Sequence, residues 1–178
     1  MKTIIRKEML AKRKALTFRE VEAVGELVFE NLLKIQEFVN AKSCFCYWDF
    51  KNEVPTIKIR DFFKNKILLE PVIDKDVMVA VKREGEQSVY NGYGIEEPKS
   101  YILVDKSADI SIIPLVACDK NGNRIGFGKG YYDKYLTGRK TIKIGICYSW
   151  QILDFVPKFD NDVRLDYIVS EQQIIKVN

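Results

Sequence analysis

Apolar residues in the first part of the chain recur at helical spacing. One such stripe predicts a first helix near the start of the sequence, and it consists of Ile4, Ile5, Met9 and Leu10. In the segment TFRE, Thr17 and Glu20 have the spacing of a capping box, which predicts the start of a second helix. The apolar face of that helix consists of Val21, Val24, Val28, Leu32 and Ile35. The chain is therefore expected to begin with two amphipathic helices.

After these helices the pattern changes to short apolar runs separated by polar segments. The runs predicted as strands are SCFCYW, KILLE, VMVAVK, ADISIIPLVAC, KIGICY and LDYIVSE, followed by a short strand near the C-terminus. Helices are predicted from Pro55 to about Phe63 and over YYDKYL, while QSVYNGYGIEEPK is predicted as a loop. This alternation predicts an α/β fold, with residues 1–178 forming a single domain around a mainly parallel central sheet that has helices on both faces. Ligands of such folds bind beyond the carboxyl ends of the strands.

A glycine-rich segment, DKNGNRIGFGKGYYDKYL at 119–136, follows one of the predicted strands. Its glycines alternate with other residues, at Gly126, Gly128 and Gly130. Free N–H groups ahead of a helix form a nest for anions, and Arg124 and Lys129 are cations suited to phosphate. The spacing matches neither the P-loop nor the dinucleotide fingerprint. A purely structural glycine-rich turn is the alternative, although the neighbouring cations favour phosphate binding.

Composition limits the class of protein. The chain has 178 residues, of which 47% are hydrophobic and 30% charged, so it is long and apolar enough to bury a core. No apolar run has the length of a membrane span and no signal-peptide pattern is present, so a soluble, cytoplasmic protein is expected. The net charge of +4 suits an anionic substrate. It is too small and too scattered to predict a nucleic-acid partner.

The chain contains no histidine, which excludes Ser-His-Asp and Cys-His catalysis. Acid–base chemistry must then come from carboxylates, lysine or tyrosine. The cysteines are Cys44, Cys46, Cys118 and Cys147. They form no C-x-x-C pair and each lies in an apolar run, so they are expected to be buried core residues and no zinc site is expected.

Several motifs occur together and in a fixed order. The pattern R-x-G-x-G-x-G-Y-Y-D runs unbroken from Arg124 to Asp133, after a strand containing a proline. Further landmarks are a K-x-x-x-R pair at Lys2 and Arg6, Glu53 in NEVPT, the turn GIEEP, and the terminal region QILDFVPKFDNDVRLDYIV. In these features the chain resembles the 5-formyltetrahydrofolate cyclo-ligase family, also called 5,10-methenyltetrahydrofolate synthetases. One departure is Asn161, where members of that family usually have histidine.

The resemblance implies an enzyme that uses ATP and Mg²⁺ to convert 5-formyltetrahydrofolate into 5,10-methenyltetrahydrofolate, with release of ADP and phosphate. It assigns ATP binding to Lys2, Arg6, Arg124, Gly126, Gly128, Lys129, Gly130, Tyr131 and Tyr132. It assigns folate binding to Glu53, Phe127, Gly128, Lys129, Gly130 and Tyr131. Arg124, Lys129 and Tyr132 would be the catalytic residues, and Asp133 and Asp166 would bind Mg²⁺. Catalysis would consist of positioning and charge neutralisation, as is usual in phosphoryl transfer.

Each assignment has a structural alternative. Lys2 and Arg6 have the i, i+4 spacing of a solvated helix face. Glu53 and Asp133 are placed to cap nearby helices, and Asp166 to precede a strand. Four aromatic residues are suited either to stacking on the folate or to the core, namely Trp48, Tyr131, Tyr148 and Trp150.

At the level of the whole protein two other classes remain open. One is a different activity on the same architecture, such as chemistry on sugar phosphates or CoA esters, because fold does not determine function. The other is a basic nucleic-acid-binding module, which would bind with steep salt dependence and turn over no nucleotide.

Overall fold

A computed structural model describes residues 1–178, in which helices and strands alternate along the chain. The helices are α1 (Lys2–Lys14), α2 (Phe18–Leu32), α3 (Gln36–Asn40), α4 (Ile57–Phe63) and α5 (Tyr131–Leu136). The strands are β1 (Ser43–Cys46), β2 (Ile67–Asp74), β3 (Val77–Arg83), β4 (Ser88–Tyr90), β5 (Glu96–Pro98), β6 (Tyr101–Leu103), β7 (Ile110–Ile113), β8 (Ala117–Asp119), β9 (Arg124–Ile125), β10 (Ile142–Ile146), β11 (Ile152–Leu153), β12 (Tyr167–Val169) and β13 (Ile174–Lys176). No helix is both long and apolar enough to cross a membrane.

Eight strands form the central sheet, in the order β13-β12-β10-β7-β1-β2-β3-β6. The five strands from β12 to β2 run parallel, and antiparallel strands flank them on both sides. The chain places β2 on one side of β1 and later returns to place β7 on the other side. The strand order therefore reverses between β1 and β7, which is the point where open α/β sheets bind ligands.

Side chains of β1 point alternately to the two faces of the sheet, as the period of two requires. Cys44 and Cys46 belong to an apolar cluster with residues of α2, α3 and α4. Phe45 belongs to a second cluster, which includes Tyr135 and Leu136 of α5. Helices thus cover both faces, and the prediction of a mainly parallel sheet between helices is confirmed.

The predicted strand ADISIIPLVAC was expected to be continuous, and this is wrong. It divides at Pro114, which has no N–H to donate to a ladder. Before the proline the chain forms β7 in the central sheet; after it, β8 pairs with β9 and β11 in a separate three-stranded sheet. The break turns the chain out of the central sheet just before the glycine-rich segment.

Other local predictions were mostly correct. The capping box of Thr17 and Glu20 is present, and all four cysteines are buried with free thiols. The helix expected from Pro55 begins at Ile57 instead. The segment expected to be a loop contains the antiparallel hairpin of β4 and β5. That hairpin was missed because the residues of β4 are exposed and show no alternation of apolar and polar positions.

Two aspartates connect neighbouring strands at the amino end of the sheet. Asp109 precedes β7, and its Oδ2 accepts hydrogen bonds from the backbone N–H groups of Lys42 and Ser43 at 2.8 and 3.0 Å. Asp166 precedes β12, and its Oδ2 accepts from the N–H of Lys143 at 2.7 Å. Both carboxylates therefore join the starts of adjacent parallel strands.

Candidate active site

A cavity of about 520 Å³ opens beyond the carboxyl ends of β1 and β7. Tyr47 and Trp48, which follow β1, and Pro114, which follows β7, contribute to its wall. Its position is the one expected from the strand order. Its volume lies within the range of small-molecule sites.

The structure brings almost all of the predicted site residues to this one cavity. Those that line it are Lys2, Arg6, Glu53, Arg124, Gly126, Phe127, Gly128, Lys129, Gly130, Tyr131, Tyr132 and Asp133. They come from α1, from the segment after β1 and from the glycine-rich segment, which are far apart in sequence. Asp166 is the one predicted residue that does not line the cavity.

The glycine-rich segment presents unpaired backbone donors to the cavity. No N–H group of residues 126–130 donates a hydrogen bond within the protein. Gly128 has φ +103° and Gly130 has φ +70°, conformations that residues with a side chain rarely adopt. Free N–H groups in a segment of this kind are suited to binding an anion.

Arg124 belongs to the same segment. Its side chain is buried, its Nη2 donates to Asp133 Oδ1 at 2.8 Å, and its Nε has no partner in the protein. Burial lowers the pKa of the guanidinium, while the Asp133 carboxylate acts in the opposite direction. An arginine remains charged under either influence. The site therefore contains a buried cation whose Nε donates to no acceptor within the protein.

Helix α1 lies against the same segment. Arg6 Nε donates to the carbonyl of Gly126 at 2.9 Å, and Lys2 Nζ forms an ion pair with Asp162. Lys2 also lies 4.0 Å from the ring centroid of Phe159. The structure therefore does not support the alternative of a merely solvated helix face for Lys2 and Arg6.

Glu53 is a buried carboxylate on the cavity wall, with 6% of its surface exposed. Its Oε2 accepts a hydrogen bond from Phe50 N–H at 3.0 Å, and its Oε1 lies 3.8 Å from Arg13 Nη1. Burial raises the pKa of Glu53 to about 7, although Arg13 and the Phe50 N–H oppose this rise. Glu53 accepts no hydrogen bond from the first turn of α4, so the helix-cap alternative is not supported.

Tyr132 shares the cavity with Glu53. Burial raises the pKa of the Tyr132 hydroxyl well above its ordinary value, and the nearby Glu53 carboxylate adds to the effect. The hydroxyl therefore stays protonated at neutral pH and is available as a hydrogen-bond donor.

The four aromatic residues suited either to stacking on the folate or to the core fall into two groups. Trp48 and Tyr131 line the cavity. Tyr148 and Trp150 do not, and their rings stack on each other with centroids 5.4 Å apart. The second pair therefore belongs to the packing of the protein.

The two predicted metal ligands lie in different surroundings. Asp133 accepts hydrogen bonds from Arg124 and from Val163 N–H at Oδ1, which leaves Oδ2 without a donor. Asp166 is bound to Lys143 at the amino end of the sheet. No group of three or more metal-ligating side chains is present. Asp133 lines the cavity and Asp166 does not, so the structure does not bring them together there; that the two share an ion stays a prediction.

Sequence reasoning missed several residues of the site. Arg13 lies seven residues after Arg6, nearly two helical turns, and this spacing would have placed both on one face of α1. Tyr93 extends from the β4–β5 hairpin, and its hydroxyl lies 3.3 Å from that of Tyr131. No pattern in the sequence indicated the contact between these two tyrosines, because the hairpin itself was not predicted.

Comparison with known proteins gives consistent results along the whole chain. The model of the 5-formyltetrahydrofolate cyclo-ligase family matches residues 1–171. The 5-formyltetrahydrofolate cyclo-ligase of Mycoplasma pneumoniae is 32% identical over 177 residues, which cover 96% of this chain and 99% of that protein.

Two solved structures share the fold. The 5,10-methenyltetrahydrofolate synthetase of Aquifex aeolicus superposes with a TM-score of 0.88 at 29% identity, covering 99% of this chain and 93% of the other. The 5,10-methenyltetrahydrofolate synthetase of Mycoplasma pneumoniae gives a TM-score of 0.76 at 30% identity, covering 96% and 98%. Together with the family match, these similarities show that the chain belongs to the 5-formyltetrahydrofolate cyclo-ligase family.

Proposed function

We propose that this protein converts 5-formyltetrahydrofolate into 5,10-methenyltetrahydrofolate, with ATP and Mg²⁺ required and with ADP and phosphate released. The observation that carries the proposal is the composition of one cavity. Its wall combines free N–H groups and cations suited to a triphosphate with a buried carboxylate and an indole suited to a folate. Family membership supports the same reaction.

The chemistry fits a chain that contains no histidine. The formyl group is an amide-like, poor electrophile. In the proposed reaction its oxygen attacks the γ-phosphorus of ATP and ADP leaves. N10 then attacks the activated formyl carbon and gives up its proton, and phosphate departs with the former formyl oxygen and can carry that proton. No protein nucleophile is needed, so the protein has to position the reactants and stabilise developing charge.

Lys2, Arg6, Arg124 and Lys129 supply the positive charge for the triphosphate in this proposal. The unpartnered Nε of Arg124 and the free N–H groups of residues 126–130 supply hydrogen-bond donors. Because these donors are held in place before the reaction, they stabilise negative charge on the transferring phosphoryl group without reorganising.

Asp133 is the residue that would hold Mg²⁺. Its Oδ2 accepts no hydrogen bond and its side chain lines the cavity. Mg²⁺ typically takes one or two carboxylates together with substrate phosphates, so a single aspartate fits this requirement. When bound there, the ion would neutralise charge on the phosphates. Asp133 also fixes Arg124, so one side chain would organise both cations.

Folate binding is assigned to Glu53, Trp48 and residues 127–131. A pterin carries N–H donors that a carboxylate accepts, and Glu53 is the buried carboxylate of the cavity. Trp48 offers an aromatic surface at the end of β1.

The test is to incubate the protein with MgATP and 5-formyltetrahydrofolate and to follow the methenyl chromophore, ADP and phosphate together. The three products are expected in equal amounts, and none without the folate. With ¹⁸O in the formyl group, the label is expected in the released phosphate. Unlabelled phosphate would contradict the phosphorylated intermediate, and ATP hydrolysis at the same rate without folate would contradict the proposed reaction.

A further inference from the structure

Trp48 is held by a group of charged residues outside the cavity. The indole Nε1 donates to Glu70 Oε2 at 2.9 Å. Glu70 lies on β2, the strand next to β1, and only 2% of its surface is exposed. Trp48 lines the cavity, whereas Glu70 does not. The carboxylate is therefore placed behind the indole, where it can orient the ring without touching a ligand.

Two arginines fix the orientation of the Glu70 carboxylate. Arg60 of α4 donates through Nη2 to Oε1 at 2.8 Å. Arg83 of β3 donates through Nε to Oε1 at 3.0 Å and through Nη2 to Oε2 at 2.9 Å, which is a bidentate pair. Together with the indole these groups give the carboxylate four donors, so its orientation is defined by three separate elements of the fold.

The face of the indole is held as well as its N–H. The guanidinium carbon of Arg60 lies 3.5 Å from the ring centroid of Trp48, and that of Arg83 lies 5.4 Å away. Burial is the largest single influence on Glu70 and favours the neutral form, but the hydrogen bonds from Arg83 and Trp48 and the charges of Arg60 and Arg83 together outweigh it and lower the pKa, so the carboxylate is ionised at neutral pH. The indole is thus fixed at its polar edge and against a cation.

A buried ion network is a costly way to fill space. Apolar residues of similar volume are often at least as stabilising as buried charges, so the presence of three buried or half-buried charges calls for a different explanation. The specific effect of this network is to fix Trp48. It contacts this cavity residue through both the face of the ring and the N–H.

We propose that Glu70 is a positioning residue that holds the indole of Trp48 as a stacking surface for the flat ring system of the folate. This rests on the proposed function, because it takes the substrate to be a folate. Stacking on a ring that is already fixed avoids the loss of side-chain freedom on binding. Arg60 serves the same purpose by packing its guanidinium over the face of the indole ring.

The test measures the dissociation constant of 5-formyltetrahydrofolate without ATP, so that no turnover occurs. Glu70→Gln and Trp48→Ala are each expected to weaken folate binding about threefold to tenfold, in line with the worth of an aromatic contact. ATP binding is expected to stay within about twofold of the parent. In a Trp150→Phe background, Glu70→Gln should also remove the near-ultraviolet circular dichroism of Trp48 while the far-ultraviolet spectrum is kept.

Glu26→Gln and Trp150→Phe are the matched controls, because Glu26 is an exposed carboxylate and Trp150 lies outside the cavity. If Glu70→Gln does not fold, Trp48→Phe replaces it, since this change keeps a ring and leaves Glu70 paired with both arginines. Folate binding within twofold of the parent for these variants would overturn the inference, as would absence of folate binding by the parent. A parent that binds folate but forms no methenyl product would overturn only the proposed function.

Discussion

Glu53 illustrates how burial of a single residue couples stability to pH. Its pKa is about 7, against an ordinary value of 4.5. Below pH 4.5 the group is neutral in both the folded and the unfolded chain. Between the two values Glu53 is ionised in the unfolded chain but still protonated in the folded one. The free energy of unfolding therefore falls as pH rises and levels off above about pH 7. The expected loss is roughly 3 kcal/mol. Denaturant unfolding at several pH values should show this slope in the parent and not in Glu53→Gln; equal slopes would contradict it.

The same residue is expected to discriminate between the two ligands. Because the ionised carboxylate accepts N–H donors, folate binding should tighten as pH rises to about 7. Glu53→Gln should weaken folate binding by roughly tenfold or more, remove that pH dependence, and leave ATP binding nearly unchanged. Isothermal titration with each ligand separately is the measurement. An equal loss of affinity for folate and for ATP would show that Glu53 supports the structure of the cavity as a whole.

Asp133 and Asp166 should respond differently to the same substitution. Asp133→Asn is expected to raise the Mg²⁺ concentration needed for turnover and to weaken MgATP binding, because the free Oδ2 is replaced or lost as a ligand. Asp166→Asn should leave the Mg²⁺ titration unchanged and lower the unfolding free energy by about 1 kcal/mol, because Lys143 N–H loses a charged acceptor. A shifted Mg²⁺ titration for Asp166→Asn would instead support Asp166 as a ligand of the ion.

At the scale of elements, the glycine-rich segment depends on its contact with α1. A Cβ at Gly128 would lie 3.4 Å from the Arg6 guanidinium, whereas a Cβ at Gly130 would meet nothing within 4 Å. Both alanine variants carry backbone strain of about 1 kcal/mol or more, but only Gly128→Ala also places a methyl group in contact with the Arg6 guanidinium, where it would restrict the approach of a phosphate. Gly128→Ala should therefore weaken ATP binding more than Gly130→Ala.

The matched control is Gly138→Ala. Gly138 also has positive φ with open space around it, but it lies outside this cavity. The Gly138→Ala variant should therefore be less stable than the parent but bind ATP with the same affinity. Equal ATP affinity for the Gly128 and Gly130 variants would show that the position of Arg6 does not matter.

For the whole molecule, binding energy should appear as thermal stability. A ligand at a hundredfold excess over its dissociation constant adds about 2.7 kcal/mol to the unfolding free energy. For a chain of this length that corresponds to roughly 5–10 °C in Tm. MgATP should produce this rise in the parent, and Arg124→Ala should reduce it strongly because the buried cation of the nest is lost. An undiminished rise in a folded Arg124→Ala protein would exclude that role.

The sequence was informative about elements and less so about their partners. The capping box at Thr17 and the period of the apolar stripes depend on residues close in the chain, so α1 and α2 were predicted correctly. The sequence did not show that Asp166 lies outside the cavity, because the sheet, and not local spacing, decides which end of a strand faces a distant loop. Pro114 was a signal for the break in its strand, but a continuous apolar run outweighed it.

The site residues that belong to a sequence motif could be predicted. Residues within R-x-G-x-G-x-G-Y-Y-D line the cavity as expected. The Trp48–Glu70–Arg60–Arg83 contacts join three elements whose side chains show no pattern in sequence, so only the folded structure reveals them. Arg13 could have been found by extending the helical spacing from Arg6.

The two ends of the central sheet differ in structure. Two aspartates connect neighbouring strands at the amino end, and the cavity lies at the carboxyl end. Asp109 and Asp166 join strand starts through backbone N–H groups and do not line the cavity. Substitutions at one end therefore leave the contacts of the other unchanged, and distant sites tend to contribute additively. Protein engineers could raise the heat tolerance of this scaffold at the amino end while changing its ligand preference at the carboxyl end, and could combine the results with little interference.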